Sequence, residues 1–269
     1  MAAPQLDLGG RVAVVTGAAQ GIGRAVALRL AEEGARLALL DIADAGETAA
    51  AIEARGGDVW EHRTDLTDVA AISDAFRELD DRWGPPTVLV NVAGVFADLP
   101  FLETPPEVYD RVMAVNARGV FFCSQEAARR MATAGGGRIV VVLSTASAQG
   151  FALESAYCAS KGAALLLTRT MAVELARYGI QVNGVGPGTV RTAMGGEYLG
   201  DGPIASHELA RTPLGRFGEP DDIADAVAFL ATRASWMTGQ VLYVDGGFLA
   251  AGLPWLEGLS EGGSVSRPS

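Results

Sequence analysis

The stretch VAVVTGAAQGIGRA, Val12 to Ala25, decides the fold. It begins with an apolar run that fits a strand buried on both faces. Three glycines follow, Gly17, Gly21 and Gly23, and open a run with helical periodicity over 21–33. Glycines between a strand and a helix permit a tight turn and let the backbone approach a pyrophosphate, which the first amides and the dipole of the helix would hold. A glycine triplet alone is a weak signal. Here an acid, Asp41, ends the next strand pattern, RLALLD (36–41), eighteen residues after Gly23. That context reads as a dinucleotide site. A carboxylate at Asp41 can accept both ribose hydroxyls of NAD and would repel a 2′-phosphate. Gln20 and Ile42 stand around it, where a chain that binds NADP more often has Arg or Lys. NAD is the expected cofactor.

Outward from this turn the same alternation continues. Strand patterns occur at 11–16, 36–41, 58–63, 87–91, 138–144, 180–185 and 240–244. Helical patterns fill most of the gaps, at 21–33, 44–55, 68–82, 106–133, 155–178 and 220–232. Parallel strands need crossovers and helices supply them, so the alternation predicts an α/β fold with a parallel sheet covered on both faces. No linker interrupts residues 1–269, which are expected to form a single domain. Two regions break the rhythm. Residues 188–213 read as a long loop carrying a short helix, expected to be a substrate lid, and 248–269 as an apolar, then Gly/Ser-rich tail.

The net charge of −11 disfavours nucleic acid and other acidic macromolecules as partners. Two cysteines, Cys123 and Cys158, make neither a disulfide framework nor a thiolate metal site, and His62 and His207 lack ligand spacing. No metal is expected. The start of the chain lacks a basic region before its short apolar stretch, and no apolar run is long enough to span a membrane. The expected location is the cytoplasm.

The segment SAYCASK, Ser155 to Lys161, places Tyr157 and Lys161 one helical turn apart on one face. Oxidising a secondary alcohol needs a base for the O–H proton while hydride leaves. A free tyrosine titrates at about 10, too high for a good base at neutral pH. A neighbouring ammonium favours the phenolate, as does the positive ring of a bound nicotinamide. The sequence expectation is therefore a phenol with lowered proton affinity. Ser144, at the end of a central strand pattern, would hydrogen-bond the carbonyl oxygen in the reverse direction. Asn116 falls in the middle of helix 106–133, where asparagine is unfavourable. It wants a reason, either a relay water beside Lys161 or a buried, satisfied amide.

Taken together, TGxxxGxG (Thr16 to Gly23), NVAG (Asn91 to Gly94), Asn116, Ser144, Tyr157-x-x-x-Lys161, PGTVRT (Pro187 to Thr192) and VDGG (Val244 to Gly247) resemble the short-chain dehydrogenase/reductases. The resemblance runs from about Gly10 to Phe248. It implies a Rossmann-type, doubly wound sheet of seven parallel strands in the order 3-2-1-4-5-6-7, and assembly as a homotetramer. It implies that Tyr157 is the acid/base, Lys161 its partner, Ser144 the donor to the substrate oxygen and Asn116 a relay member. For the cofactor it implies Gly17, Gln20, Gly21, Ile22 and Gly23, then Asp41 and Ile42, with Asp65 and Leu66 beside the adenine. Asn91, Ala93 and Gly94 match the turn after the fourth strand, and Pro187, Gly188, Val190 and Thr192 match positions near the nicotinamide, with Tyr157 and Lys161. Two departures stand out. The family's Asn-Asn-Ala-Gly reads NVAG, and its Ser-Ser-x-x-Gly reads LSTAS, with Leu143 for the first serine and Ser147 for the glycine. Counting thirteen back from Tyr157 still selects Ser144, which leaves Ser147 as a substrate-loop residue.

The substrate pocket is expected between Val95, Phe96 and Leu99, Ala148 to Leu153, and Met194 to Ile204, with Gln149, Glu154 and Tyr198 as polar anchors. No arginine cluster awaits a CoA or carrier-protein phosphate. A small neutral secondary alcohol or ketone, open-chain or cyclic, is the expected substrate. Trp255 in the tail could cover that pocket or a neighbouring subunit. Two rival readings remain. A 3-oxoacyl-thioester reductase would want NADPH and a basic docking surface, against Asp41 and the net charge. A non-catalytic NAD-binding sensor or scaffold would have no need of Ser144, Tyr157 and Lys161.

Overall fold

The computed structural model describes residues 6–200 and 202–251, without the side chains of Glu197 and Tyr198. Among these residues seven strands form one sheet: β1 (Val12–Thr16), β2 (Arg36–Asp41), β3 (Val59–Arg63), β4 (Val88–Asn91), β5 (Gly137–Val142), β6 (Ile180–Pro187) and β7 (Val241–Val244). All neighbours pair parallel, in the order β3-β2-β1-β4-β5-β6-β7. The strand order reverses between β1 and β4. That reversal opens a crevice at the carboxyl ends of the strands, where ligands of such sheets bind.

Alternation along each strand sorts the core onto two faces. Ala13, Val15, Leu37, Leu39, Val88, Val90 and Val140 pack with α1 (Gly21–Glu32), α2 (Gly46–Glu53) and α8 (Pro220–Thr232). Val12, Val14, Ala38, Leu40, Leu89, Ile139 and Val141 pack with α3 (Val69–Trp83), α5 (Val120–Thr133) and α6 (Ser155–Leu175). Both faces are apolar and both are covered, so β1 is buried at all five positions.

The glycine turn is forced by close packing. Gly17 sits at φ 68°, and a Cβ there would stand 2.7 Å from Cα of Ala93. A Cβ on Gly23 would overlap the carbonyl oxygen of Gly17 and stand 2.7 Å from its carbon. Only hydrogen fits at both positions, so the helix starts hard against the strand end.

The helix predicted over 106–133 is not continuous. α4 (Pro106–Met113) passes through a π-helical segment, Ala114–Gly119, into α5. The long irregular region holds a 3₁₀ segment, Ala193–Leu199, followed by α7 (Pro203–Ala210). No described helix is long and apolar enough to cross a membrane. The tail beyond residue 251, with Trp255, lies outside the described residues.

Candidate active site

A cavity of about 670 Å³ runs along the carboxyl edge of the sheet. On one side of the reversal, Gly17, Gln20, Gly21, Ile22 and Gly23 line it with Asp41, Ile42, Asp65 and Leu66, which follow β2 and β3. On the other side stand Ser144, Tyr157 and Lys161, with Pro187, Gly188, Val190 and Thr192 after β6. Ala93 and Gly94 lie between.

The nucleotide half is built from backbone. Gln20, the cap of α1, makes no side-chain capping bond, and the first turn holds no acid. The first amides of α1 therefore point at the cavity with no protein acceptor, as an anion site requires. Asp41 is fixed by amides of Ala19 and Ala43, which donate to its two oxygens at 2.9 Å each. Thr16 ties the two halves together, its hydroxyl accepting from the amides of Val92 (3.0 Å) and Ala93 (3.2 Å). These uncapped donors, glycine-lined approach and fixed carboxylate fit a dinucleotide, and the volume suits a cofactor.

In the other half, α6 carries Tyr157 and Lys161 on the cavity side. Ser144 stands beside the Tyr157 phenol and favours its ionised form, while the Ser144 oxygen accepts from the amide of Ala146 at 3.1 Å. Phe96 meets the phenol edge-on, ring centres 5.0 Å apart. The Lys161 ammonium lies 5.7 Å from the centre of the Tyr157 ring and donates to the carbonyl of Val142 at 3.0 Å. Burial pushes the phenol up to about 12, opposed by Ser144 and reinforced by Glu154. Burial lowers Lys161 to about 8. The lowered phenol expected from sequence is thus not found in the protein alone, because burial outweighs the opposing effect of Ser144.

Asn116 is buried in the π-helical segment and fully used. It accepts from the Val95 amide (2.8 Å), and its amide donates to the Val95 carbonyl (2.9 Å) and to the Ser160 hydroxyl (3.0 Å). Of the two reasons open for it, the structure displays the satisfied amide, which pins the loop carrying Phe96 to α6. A π turn inside a helix often marks such a site.

Four expected contacts fall elsewhere. Asn91 is buried below the cavity, donating to Ser124 at 3.0 Å with its own oxygen unpaired, because its side chain turns towards α5. Ser147 is not a cavity residue: its hydroxyl donates to the Ser144 carbonyl at 2.6 Å and faces the hydroxyl of Tyr243 at 3.3 Å. Gln149 also lies off the lining, as does Leu99, whereas Phe96 and Met194 line it. The Tyr198 side chain lies outside the described residues.

The sequence reading missed Glu208, on α7, which lines the cavity and accepts from the Thr189 hydroxyl at 3.0 Å. Glu154 lines it too and is 8% exposed. Burial, then Glu208 and Asp98, raise its carboxyl to about 7. A periodicity reading had no signal for Glu208, which joins the site through a loop-to-helix contact.

Comparison with known proteins follows the same geometry. Residues 17–249 match the family model described as Enoyl-(Acyl carrier protein) reductase. The chain is 39% identical over 257 residues to a sorbitol dehydrogenase of Cereibacter sphaeroides, covering 90% of this chain and 98% of that one. It is 42% identical over 247 residues to an L-xylulose reductase of Bos taurus, covering 91% and 99%. A crystal structure of a gluconate 5-dehydrogenase from Burkholderia cenocepacia J2315, in complex with NADP and tartrate, superposes with a TM-score of 0.86 at 35% identity, covering 91% of this chain and 97% of that one.

Proposed function

The chain belongs to the short-chain dehydrogenase/reductase family of oxidoreductases acting on secondary alcohols, and from that premise we propose that it transfers hydride between NAD(H) and a small neutral secondary alcohol or ketone, with Tyr157 as acid/base. The observation that carries this reading is that Ser144, Tyr157 and Lys161 line the same cavity as the uncapped start of α1.

The bound nicotinamide supplies the hydride acceptor, or the donor in reverse. Loss of hydride from carbon and of a proton from oxygen gives ketone, reduced dinucleotide and one proton. Tyr157 takes or returns that proton. Ser144 has its oxygen engaged by the Ala146 amide, which leaves its own O–H to donate to the substrate oxygen. Lys161 holds positive charge beneath the ring. With the phenol near 12 in the protein alone, Tyr157 is ready as an acid for reduction. Oxidation requires added positive charge beside it, which an oxidised nicotinamide brings. Asn116 positions this wall through Val95 and Ser160.

NAD is favoured by the fixed carboxylate of Asp41. One observation favours NADP instead: Arg63 donates to the Ile42 carbonyl at 3.0 Å, bringing a guanidinium to the same loop. Assembly as a homotetramer is supported by apolar residues in one exposed stripe of α6, Leu166 and Val173. A cytoplasmic location accords with two unpaired cysteines.

The test is a panel of neutral secondary alcohols and ketones followed by NADH absorbance, with NAD and NADP compared for wild type and Asp41→Ala. Turnover with NAD preferred, and a preference relaxed in Asp41→Ala, is expected. Wild-type preference for NADP overturns the cofactor assignment, and no turnover across the panel overturns the function.

A further inference from the structure

Glu154 has no role in the proton transfer described above, yet it occupies the same cavity. It is the N-cap residue of α6, three positions ahead of Tyr157. It is more than nine-tenths buried and lines the cavity, and among the described residues its carboxylate has no hydrogen-bond or ion-pair partner. The cations that line the cavity, Arg111 and Lys161, make no ion pair with it, and Lys161 is committed to the Val142 carbonyl. The carboxylate opens onto the cavity, and a largely desolvated carboxylate without a protein donor is costly. A ligand that brings a hydroxyl group relieves that cost, whereas a ligand that brings a second carboxylate adds to it.

Resting on the hydride-transfer reading, we propose that Glu154 is the specificity-determining residue that selects neutral polyols over carboxylate-bearing polyols of the same chain length. One substrate hydroxyl binds at the reacting pair, Ser144 and Tyr157, and another donates to Glu154. Glu208, held by Thr189, adds a second acceptor of the same charge. The chain reaches Glu154 through Leu153, which among the described residues is the one non-glycine residue at positive φ, 69°. Its carbonyl accepts from the Leu99 amide at 2.7 Å, so the turn that delivers Glu154 is tied to the loop after β4.

The groups facing Glu154 are Asp98 from that loop and Glu208 from α7, with Tyr157 and Cys158 on the helix it caps, and Arg111 and Lys161 share the cavity. With these neighbours it titrates at about 7. Lys161, lowered to about 8, attracts only the carboxylate ligand, and this contribution is common to wild type and Glu154→Gln. Selection for the polyol therefore strengthens from about pH 6 to about pH 8, and does so more steeply in wild type than in Glu154→Gln.

The experiment compares D-glucitol with D-gluconate. In turnover, wild type prefers the polyol, and Glu154→Gln lowers the polyol-over-aldonate ratio of kcat/KM roughly tenfold, the size of one like-charge contact screened by the cavity. A ratio unchanged in Glu154→Gln, with its melting temperature at or above that of wild type, overturns the proposal. Calorimetric titration of both ligands into dinucleotide-loaded Tyr157→Phe protein, with and without Glu154→Gln, reads the same selection without turnover. Tighter binding of D-glucitol, lost in the double variant, supports the proposal even if the enzyme oxidises neither compound. Equal binding of the two ligands, or no binding of D-glucitol, overturns it.

Discussion

Replacing Gly23 with alanine tests whether the dinucleotide turn is fixed by packing. The added Cβ would overlap the Gly17 carbonyl oxygen and lie 2.7 Å from its carbon and 3.1 Å from Cα of Ala18, where ordinary contact begins at 3.4 Å. Every atom met is backbone. Gly17 cannot retreat, because it is bonded to the Leu40 carbonyl at 2.8 Å and already packs against Ala93. α1 must therefore move away from β1 by more than an ångström. Overpacking of this kind costs up to about 3 kcal/mol, and for a chain of this size that lowers Tm by roughly 6–12 °C. The same shift displaces the uncapped amides, so dinucleotide affinity falls at least about tenfold. Gly162→Ala is the control of opposite sign. Its Cβ meets nothing within 4 Å in the middle of α6, and alanine gains about 1 kcal/mol of helix propensity. Thermal unfolding followed by circular dichroism, with fluorescence titration of NADH, reads both effects. A Gly23→Ala protein that melts with wild type and binds NADH equally well would refute this reasoning.

Further expectations concern the other half of the site. Glu154 binds its proton more tightly folded, at about 7 against an ordinary 4.5, so it destabilises the native state increasingly as pH rises through that window and fully above it. That rise is worth at most about 3 kcal/mol, screened by solvent entering the cavity to about 1–2 kcal/mol. Glu154→Gln should therefore melt about 2–8 °C above wild type at pH 8 and match it below about pH 4.5. Asn116→Ala strips both polar groups of Val95 of their partner and should cost about 2–4 kcal/mol, seen as a lowered Tm with a raised KM for the alcohol. Cys123 is fully buried, its thiol pushed up to about 12. Under native conditions alkylation should spare it, and mass spectrometry should find it labelled only after unfolding.

Much of this architecture is legible in the chain because backbone demands leave compositional marks. Apolar runs such as VAVV report strands buried on both faces, and Gly17 and Gly23 report positions where a Cβ cannot fit. The order of the strands was not in the alternation; it came with the resemblance. Side-chain environment is harder to read. Spacing puts Lys161 beside Tyr157 but carries no information on desolvation, which dominates both groups. One extra residue in the π turn at Ala114–Gly119 leaves the apolar spacing almost unchanged, so Asn116 looked like a misfit in a regular helix. Ser147 looked free because its bond to the Ser144 carbonyl, three residues back, forms only once that segment coils. The place of Asn91 in the turn after the fourth strand assigns it to the cofactor, yet its amide turns inward to Ser124.

The most direct measurement is turnover by Tyr157→Phe, which removes one oxygen and keeps the ring against Phe96. NADH should bind as it does to wild type while the rate of alcohol oxidation falls by at least about 10²-fold, the scale of lost acid–base catalysis. Undiminished turnover with the phenylalanine protein would contradict the account.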